Sequence, residues 1–459
     1  MIWTRLGVQP VKMGILTVTD QQARFSYASD YAGTGSLGLG LIYPPREFTS
    51  TIVRERSEYF DFHPPIQSLI PPHSERNFQR ALLLRYLDTI QVRANPGFET
   101  DWEILIRAGH GGIGHLDVFE TDEAAHQWYG TLSTRDLVEA DDRFGFSLRE
   151  FMTWFDDKAG TLIDLLGPTP TVGGAIPKLP LSIPRAGWDG RIGLPTRHGD
   201  SDRCDIILKL ENTATYPGMT ELEKLGLDMH RKAGFEVPRC WSVKIGGLRG
   251  LAVERFDRSA DGVPLFFESL YSILASGSRT VTSHYSASYD RIAQAIDNPR
   301  VRLVDDRRQA KKYLFERLIM ALLTGNGDLH LQNLGILKRD GKLGFSPVYD
   351  PAPMRAYYIH DMLTPPGMTF GDYGDYPADL KSKTPVGFDL AIARFAHVLG
   401  FRRADYAELI GRLVSLCADY PERIEALTTL PTENKQHLTQ VHLQMRSRLN
   451  KLIADGSAD

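Results

Sequence analysis

The chain opens with short β-type patterns. Gly14-Ile15-Leu16-Thr17-Val18-Thr19 is a β-branched run, a polar turn follows, and Phe25 and Tyr27 then alternate with small polar residues. From Ser74 to Leu87 the spacing changes. Leu82, Leu83, Tyr86 and Leu87 recur at three-to-four intervals and predict a helix. Trp102 to Ala108 and Ile113 to Phe119 read as two strands around Gly109-His110-Gly111-Gly112. Ser147 to Leu166 reads as an amphipathic helix stopped by Gly167-Pro168.

A different organisation begins at Thr169. Asp205-Ile206-Ile207-Leu208-Lys209-Leu210 is a compact apolar run carrying one lysine. Thr220 to Ala233 predicts a helix with Leu222, Leu225, Met229 and Ala233 on one face, and Gly234 is its stop signal. Cys240 to Ile245 and Leu248 to Phe256 follow as strands. From Phe266 the pattern turns mainly helical. Its strongest helix is Gln309 to Leu323, and the tail from Phe388 to Ile453 is helical in several pieces. The order is strand-rich, then a small α+β unit, then an α-rich unit. No repeat of roughly 20–50 residues interrupts it.

Composition narrows the class. The 459 residues suggest two or three packed units, and 42% apolar with 24% charged residues is a globular balance. Lys plus Arg is 53 and Asp plus Glu is 57, a net charge of −4 that argues against a dedicated nucleic-acid binder. Three cysteines, Cys204, Cys240 and Cys417, form no C-x-x-C pair and no disulfide framework, so a cytoplasmic location is expected. No apolar run approaches the ~18 residues that cross a bilayer, and the N-terminus carries no secretory h-region, so no membrane association is expected.

The densest candidate chemistry is Gly325-Asn326-Gly327-Asp328-Leu329-His330-Leu331-Gln332-Asn333. It follows the strongest helix and precedes a hairpin: Leu334 to Lys338, a turn at Arg339-Asp340-Gly341-Lys342, then Leu343 to Val348. The second strand ends at Tyr349-Asp350-Pro351. A hairpin returns its ends to one edge, so Asp328, Asn333 and Asp350 can converge. Two carboxylates and an amide oxygen suit Mg²⁺ carried with substrate phosphates. An acid five residues before an amide is also the kinase catalytic-loop spacing. The competing reading is that these residues only form turns.

Three weaker signals accompany it. Lys209 sits in an apolar strand, where a charge costs free energy unless paired. Kinases use such a lysine on phosphates and pair it with a glutamate of the next helix; Glu221 and Glu223 are the candidates, with Glu223 favoured. Alternatively, Lys209 is an edge-strand residue that snorkels to water. Thr171-Val172-Gly173-Gly174-Ala175-Ile176-Pro177-Lys178 offers glycines through which backbone N–H groups can approach a phosphate, or is a plain connector. Val253-Glu254-Arg255-Phe256-Asp257-Arg258 ends the last strand before the helical region, where a kinase chain crosses between lobes, or is an ordinary charged strand end.

The order of glycine loop, strand lysine, glutamate helix, Glu-Arg-Phe-Asp-Arg, Asn-Gly-Asp-x-His-x-x-Asn and Tyr-Asp-x-x-Pro resembles the HipA family, toxin serine/threonine kinases of bacterial toxin–antitoxin pairs. The resemblance spans nearly the whole chain. It implies an α+β, two-lobed, protein-kinase-like fold with a strand-rich N-terminal subdomain (1–120), a linking helix and kinase N-lobe (121–256) and an α-helical C-terminal lobe (257–459). It makes Asp328 the catalytic base, with His330 bracing the loop, and Asn333 and Asp350 the metal ligands. Gly173, Gly174, Ala175, Lys178, Lys209, Glu223, Glu254, Arg255, Phe256 and Asp350 become ATP contacts. Thr171 stands where the family's glycine loop carries an autophosphorylated serine. Pro177 and the wording of Gly109 to Gly114 depart from the family.

The implied cofactors are ATP and Mg²⁺. The implied partners are a HipB-like DNA-binding antitoxin, through which operator DNA is contacted indirectly, and a protein substrate such as an aminoacyl-tRNA synthetase. Tyr357 to Tyr376, rich in Tyr, Asp, Gly and Pro, is expected to be an activation-segment equivalent or a solvated loop. The rival classes are a small-molecule kinase of the aminoglycoside or choline type and a catalytically silent binding protein.

Overall fold

The computed structural model describes residues 1–7, 9–74, 77–130, 137–139, 178–193, 195–196, 202–211, 213, 215–245, 248–365, 368–370 and 387–454. The chain divides into two units. The first comprises Met1–Asn212, Arg239–Glu268 and Ser272–Arg279; the second comprises Thr213–Pro238, Ser269–Tyr271 and Thr280–Asp459. Among the described residues, no helix is long and apolar enough to cross a membrane. The expected helix Ser147–Leu166 and the glycine loop with Thr171, Gly173, Gly174, Ala175 and Pro177 lie outside the described residues.

Among the described residues, the first unit contains two larger antiparallel sheets and a two-stranded one that pairs Val138–Glu139 with Arg191–Ile192. One of the larger sheets has the spatial order Ile52–Glu55, Gln22–Tyr27, Val11–Val18, Ile2–Thr4, Leu116–Val118. Ile2, Met13, Leu16 and Phe25 give it a buried core, shared with Leu83, Leu87, Ile104 and Leu105. Leu83 and Leu87 come from the helix Phe78–Thr89, where the Asn77 side chain caps the N-terminus by accepting from the Arg80 N–H at 2.9 Å.

Ile104 and Leu105 mark a correction. Trp102 to Ala108, expected as a strand, is the second half of a helix, Phe98–Ala108. Glu99 and Asp101 lie in its first turn and Arg107 in its last, the charge order a helix dipole favours. Ile104, Leu105 and Ala108 share one buried face. The local Trp-x-Ile-x-Ile alternation yields to that packing. The expected strand Ile113–Phe119 is shorter, Leu116–Val118.

The second sheet of this unit has the order Cys240–Ile245, Leu248–Glu254, Arg203–Leu210, Lys178–Pro184. One face carries Leu179, Leu181, Ile183, Ile206, Leu208 and Leu210, packed against Leu82 and Phe78. Alternation then places Lys178, Asp205, Ile207 and Lys209 on the opposite face.

The second unit is built on the helix Arg307–Thr324, capped by the Asp306 side chain, which accepts from the Gln309 N–H at 2.9 Å. Leu314, Phe315, Leu318, Ile319 and Leu322 are all buried. The tail forms Phe388–Val398, Arg403–Leu416, Tyr420–Glu425 and Thr432–Ala454. The tail closes the end of the central helix, whose last carbonyls have no intrahelical partner. Tyr420 donates its hydroxyl to Thr324 O at 2.9 Å, and His442 Nδ1 lies 2.8 Å from Leu323 O. A hairpin, Gly335–Arg339 with Lys342–Phe345, turns at Asp340 and Gly341, both with positive φ.

Candidate active site

The loop begins where the central helix ends. Gly325 terminates the helix in the left-handed conformation, φ +77°. Asn326, almost fully buried, accepts the Asp328 N–H on its side-chain oxygen at 3.0 Å. Gly327 has no alternative: a Cβ there would lie 2.1 Å from Met362 O. Leu329 and Leu331 are buried and anchor the loop, and Leu329 O accepts the Tyr289 hydroxyl at 2.7 Å. Asp328 and His330 alternate with these leucines and are partly exposed.

Asn333 ties the loop to itself. Its Nδ2 donates to Asp328 O at 2.8 Å, and the same carbonyl accepts the His330 N–H at 2.9 Å. The amide nitrogen is thereby used, which leaves Oδ1 as the atom able to face a cation. His330 Nδ1 accepts the Gln332 N–H at 3.2 Å, and His330 Nε2 lies 3.8 Å from Asp328 Oδ2.

The hairpin returns the chain to this loop. Ser346 N donates to Gly335 O, and the Tyr349 hydroxyl donates to Gln332 O at 2.5 Å. Asp350 follows Tyr349 directly in the chain, as Asn333 follows Gln332. Asp350 has φ +47°, one of three described non-glycine residues in this region. Such a conformation costs of order 1–3 kcal/mol and concentrates at functional sites. Pro351 packs on the helix Met219–Lys232 at Gly226, where a Cβ would lie 2.3 Å from Pro351 O.

That helix separates the two glutamates. Glu221 is committed to the tail, accepting from Thr428 N and Thr429 N at 2.9 Å each. Glu223 is buried at 3% exposure, one turn before Gly226 and on the same face. Two contributors escaped the sequence reading. His284 and Tyr285 pack against His330, with ring centroids 4.5 and 5.4 Å away, and His284 O accepts the Leu331 N–H. Burial pushes the Tyr285 hydroxyl up to about 12, and the charge of Asp328 adds to the shift. Burial lowers His284 to about 4 and keeps it neutral.

In the first unit, Lys178 and Lys209 are direct cross-strand partners, both buried. Like charges placed opposite each other are destabilising unless anions answer them. Glu211, two residues beyond Lys209 on the same face, is also buried. Sequence reasoning could not pair residues 31 positions apart. The expected hinge residues are engaged through their side chains: Glu254 with Arg239 at 2.7 Å, and Arg255 with Asp257 at 2.7 Å. The Glu254 and Arg255 N–H groups already donate to Arg239 O and Asp205 O at 2.9 Å each, which leaves carbonyls as the backbone atoms that could meet a nucleotide. Phe256 packs edge-on against Phe267.

The donor set fits magnesium: one carboxylate and one amide oxygen, hard ligands that leave positions for water and phosphate oxygens. The model of the HipA-like C-terminal domain matches residues 171–419. A curated protein of Haemophilus influenzae, named "Putative kinase", is 26% identical over 229 residues, covering 46% of this chain and 58% of that protein. The chain thus matches little more than half the length of that relative. A chain of the Shewanella oneidensis MR-1 complex of HipA, HipB and operator DNA is similar over 98% of this chain and 97% of its own length. Its TM-score is 0.60 and its identity 16%, a likeness of fold.

Proposed function

The chain belongs to the HipA family, whose C-terminal domain model covers more than half of it, and from that premise we propose that it is an ATP-dependent serine/threonine protein kinase, the toxin of a toxin–antitoxin pair. Asp328 orients a substrate hydroxyl for in-line attack on the γ-phosphate and accepts its proton. Asn333 and Asp350 would hold Mg²⁺, which neutralises phosphate charge when bound. Lys209 and Lys178 would bind phosphates, and Glu223 would pair with Lys209. Positioning and charge neutralisation supply most of the rate. The observation that carries this reading is the bond from the Asn333 amide to the carbonyl of Asp328 itself. It couples the proposed ligand to the proposed base.

The test is Asp328→Asn. Phosphoryl transfer to lysate proteins should fall by several powers of ten while ATP binding persists, because only the proton acceptor is lost. Turnover at the wild-type rate overturns the assignment of the base. Labelling of aminoglycosides instead of proteins would favour the small-molecule reading, and no thermal shift with ATP would favour a silent binding protein. A HipB-like antitoxin is the proposed partner, supported by the complex in which the similar fold occurs. An aminoacyl-tRNA synthetase is the proposed substrate and Thr171 the proposed autophosphorylation site; phosphopeptide mass spectrometry checks both.

A further inference from the structure

The loop Gly109–Gly114 has no part in the chemistry above, yet its carbonyls converge on two arginines. Arg255 donates from Nη2 to Gly112 O at 2.6 Å and from Nη1 to Gly111 O at 3.3 Å. Arg5 donates from Nη2 to Gly112 O at 3.0 Å and to Gly114 O at 3.1 Å. Gly111 and Gly114 have φ of +77° and +86°, a backbone that turns these carbonyls together and that side-chain-bearing residues rarely adopt.

Carboxylates close the cradle from both ends. Asp257 accepts from Arg255 Nε at 3.0 Å, from Arg258 Nη1 at 3.0 Å and from the Gly114 N–H at 2.8 Å. Asp117 pairs with Arg5 at 2.8 Å and accepts the Gly111 N–H at 2.7 Å. Asp205 completes the set with Arg258 at 3.2 Å, and its carbonyl accepts the Arg255 N–H at 2.9 Å. Three guanidiniums thus face three carboxylates, their side chains all buried. Burial alone would raise the Asp257 carboxyl, but Arg255 and Arg258 hold it well below the usual range.

Buried ion networks contribute little net stability compared with apolar packing; what they do fix is a single arrangement. Here the arrangement is the register of Glu254-Arg255-Phe256, because Arg255 is held by its backbone N–H and by both ends of its guanidinium. We propose that Gly109–Gly114 is a guanidinium cradle that positions the hinge for the adenine of ATP, and that Arg255 is a positioning residue for nucleotide recognition. The inference rests on the kinase reading given above.

The test uses the full chain and two probes, Mg·ATP and Mg·tripolyphosphate, with affinities measured by calorimetry. Arg255→Lys keeps the charge and loses the two-pronged fork. It should weaken ATP by roughly tenfold to a hundredfold, the scale of an ångström-level misplacement, while tripolyphosphate binding stays unchanged. The kinetic counterpart is a raised KM for ATP with little change in kcat. Gly111→Ala strains the cradle while leaving every charge in place, and carries the same expectation should Arg255→Lys fail to fold. An unchanged ratio of ATP to tripolyphosphate affinity in the folded variants overturns the cradle and leaves the kinase reading standing. A wild-type chain that binds neither probe overturns both.

Discussion

Asn333 has one observed contact and one proposed role, and substitution can separate them. Its Nδ2 holds Asp328 O at 2.8 Å, and its Oδ1 is the proposed metal ligand. Asn333→Ala removes both. The structural loss is small, because Asp328 O keeps the His330 N–H and is not left orphaned. One hydrogen bond is worth about 1 kcal/mol, which lowers Tm by a few degrees. The catalytic loss is larger. A metal contributes several kcal/mol to the transition state, so losing one ligand should cost about two to three powers of ten in kcat/KM. Asn333→Asp restores an oxygen for the cation but sets a carboxylate against the Asp328 carbonyl. It should retain more activity than alanine while losing at least as much stability. Initial rates across a magnesium titration, alongside thermal melts, resolve the two effects. If Asn333→Ala keeps the wild-type rate and magnesium dependence, or both variants lose activity only in proportion to lost fold, the dual role is refuted.

Two further predictions concern the first unit. Glu268 is buried, accepts from Leu41 N at 2.7 Å and from Ser272 Oγ at 2.6 Å, and burial raises its carboxyl to about 7. The folded state therefore binds its proton more tightly than the unfolded chain, so this contribution is intact below about pH 4.5 and fades as pH rises to about 7. The shift corresponds to roughly 3 kcal/mol, and Glu268→Gln should flatten the fall in stability measured by denaturant melts at pH ~5 and ~8; an unchanged pH dependence contradicts it. For the lysine pair, Lys178→Met and Lys209→Met should each weaken ATP binding, and the double variant should depart from additivity by about 0.5 kcal/mol or more, as cross-strand neighbours do. Strict additivity would mean that they serve different ligands.

The HipA fold was legible through the order of motifs that carries the family resemblance, and the turns of the loop Gly325–Asn333 through local chemistry. A left-handed glycine ends a capped helix, Asn326 turns the chain, and Asp340-Gly341 closes a tight hairpin. What the sequence hid depends on distance along the chain or on packing. Phe98–Ala108 carries a strand-like alternation that burial of Ile104 and Leu105 overrides. The pairing of Lys178 with Lys209 exists only in the sheet register. Arg255 meets Gly112 across 143 positions, and His284 meets the loop across more than forty; no spacing rule reaches so far.

The central claim is that Asn333 and Asp350 grip a metal borne by the nucleotide beside Asp328. The most direct measurement is the crystal structure of the full chain with a non-hydrolysable ATP analogue and Mn²⁺, which marks its own position by anomalous scattering. The account predicts one anomalous peak about 2.1 Å from Asn333 Oδ1 and from an Asp350 carboxylate oxygen, bridging to phosphate oxygens. A nucleotide-bound metal touching neither residue would contradict it.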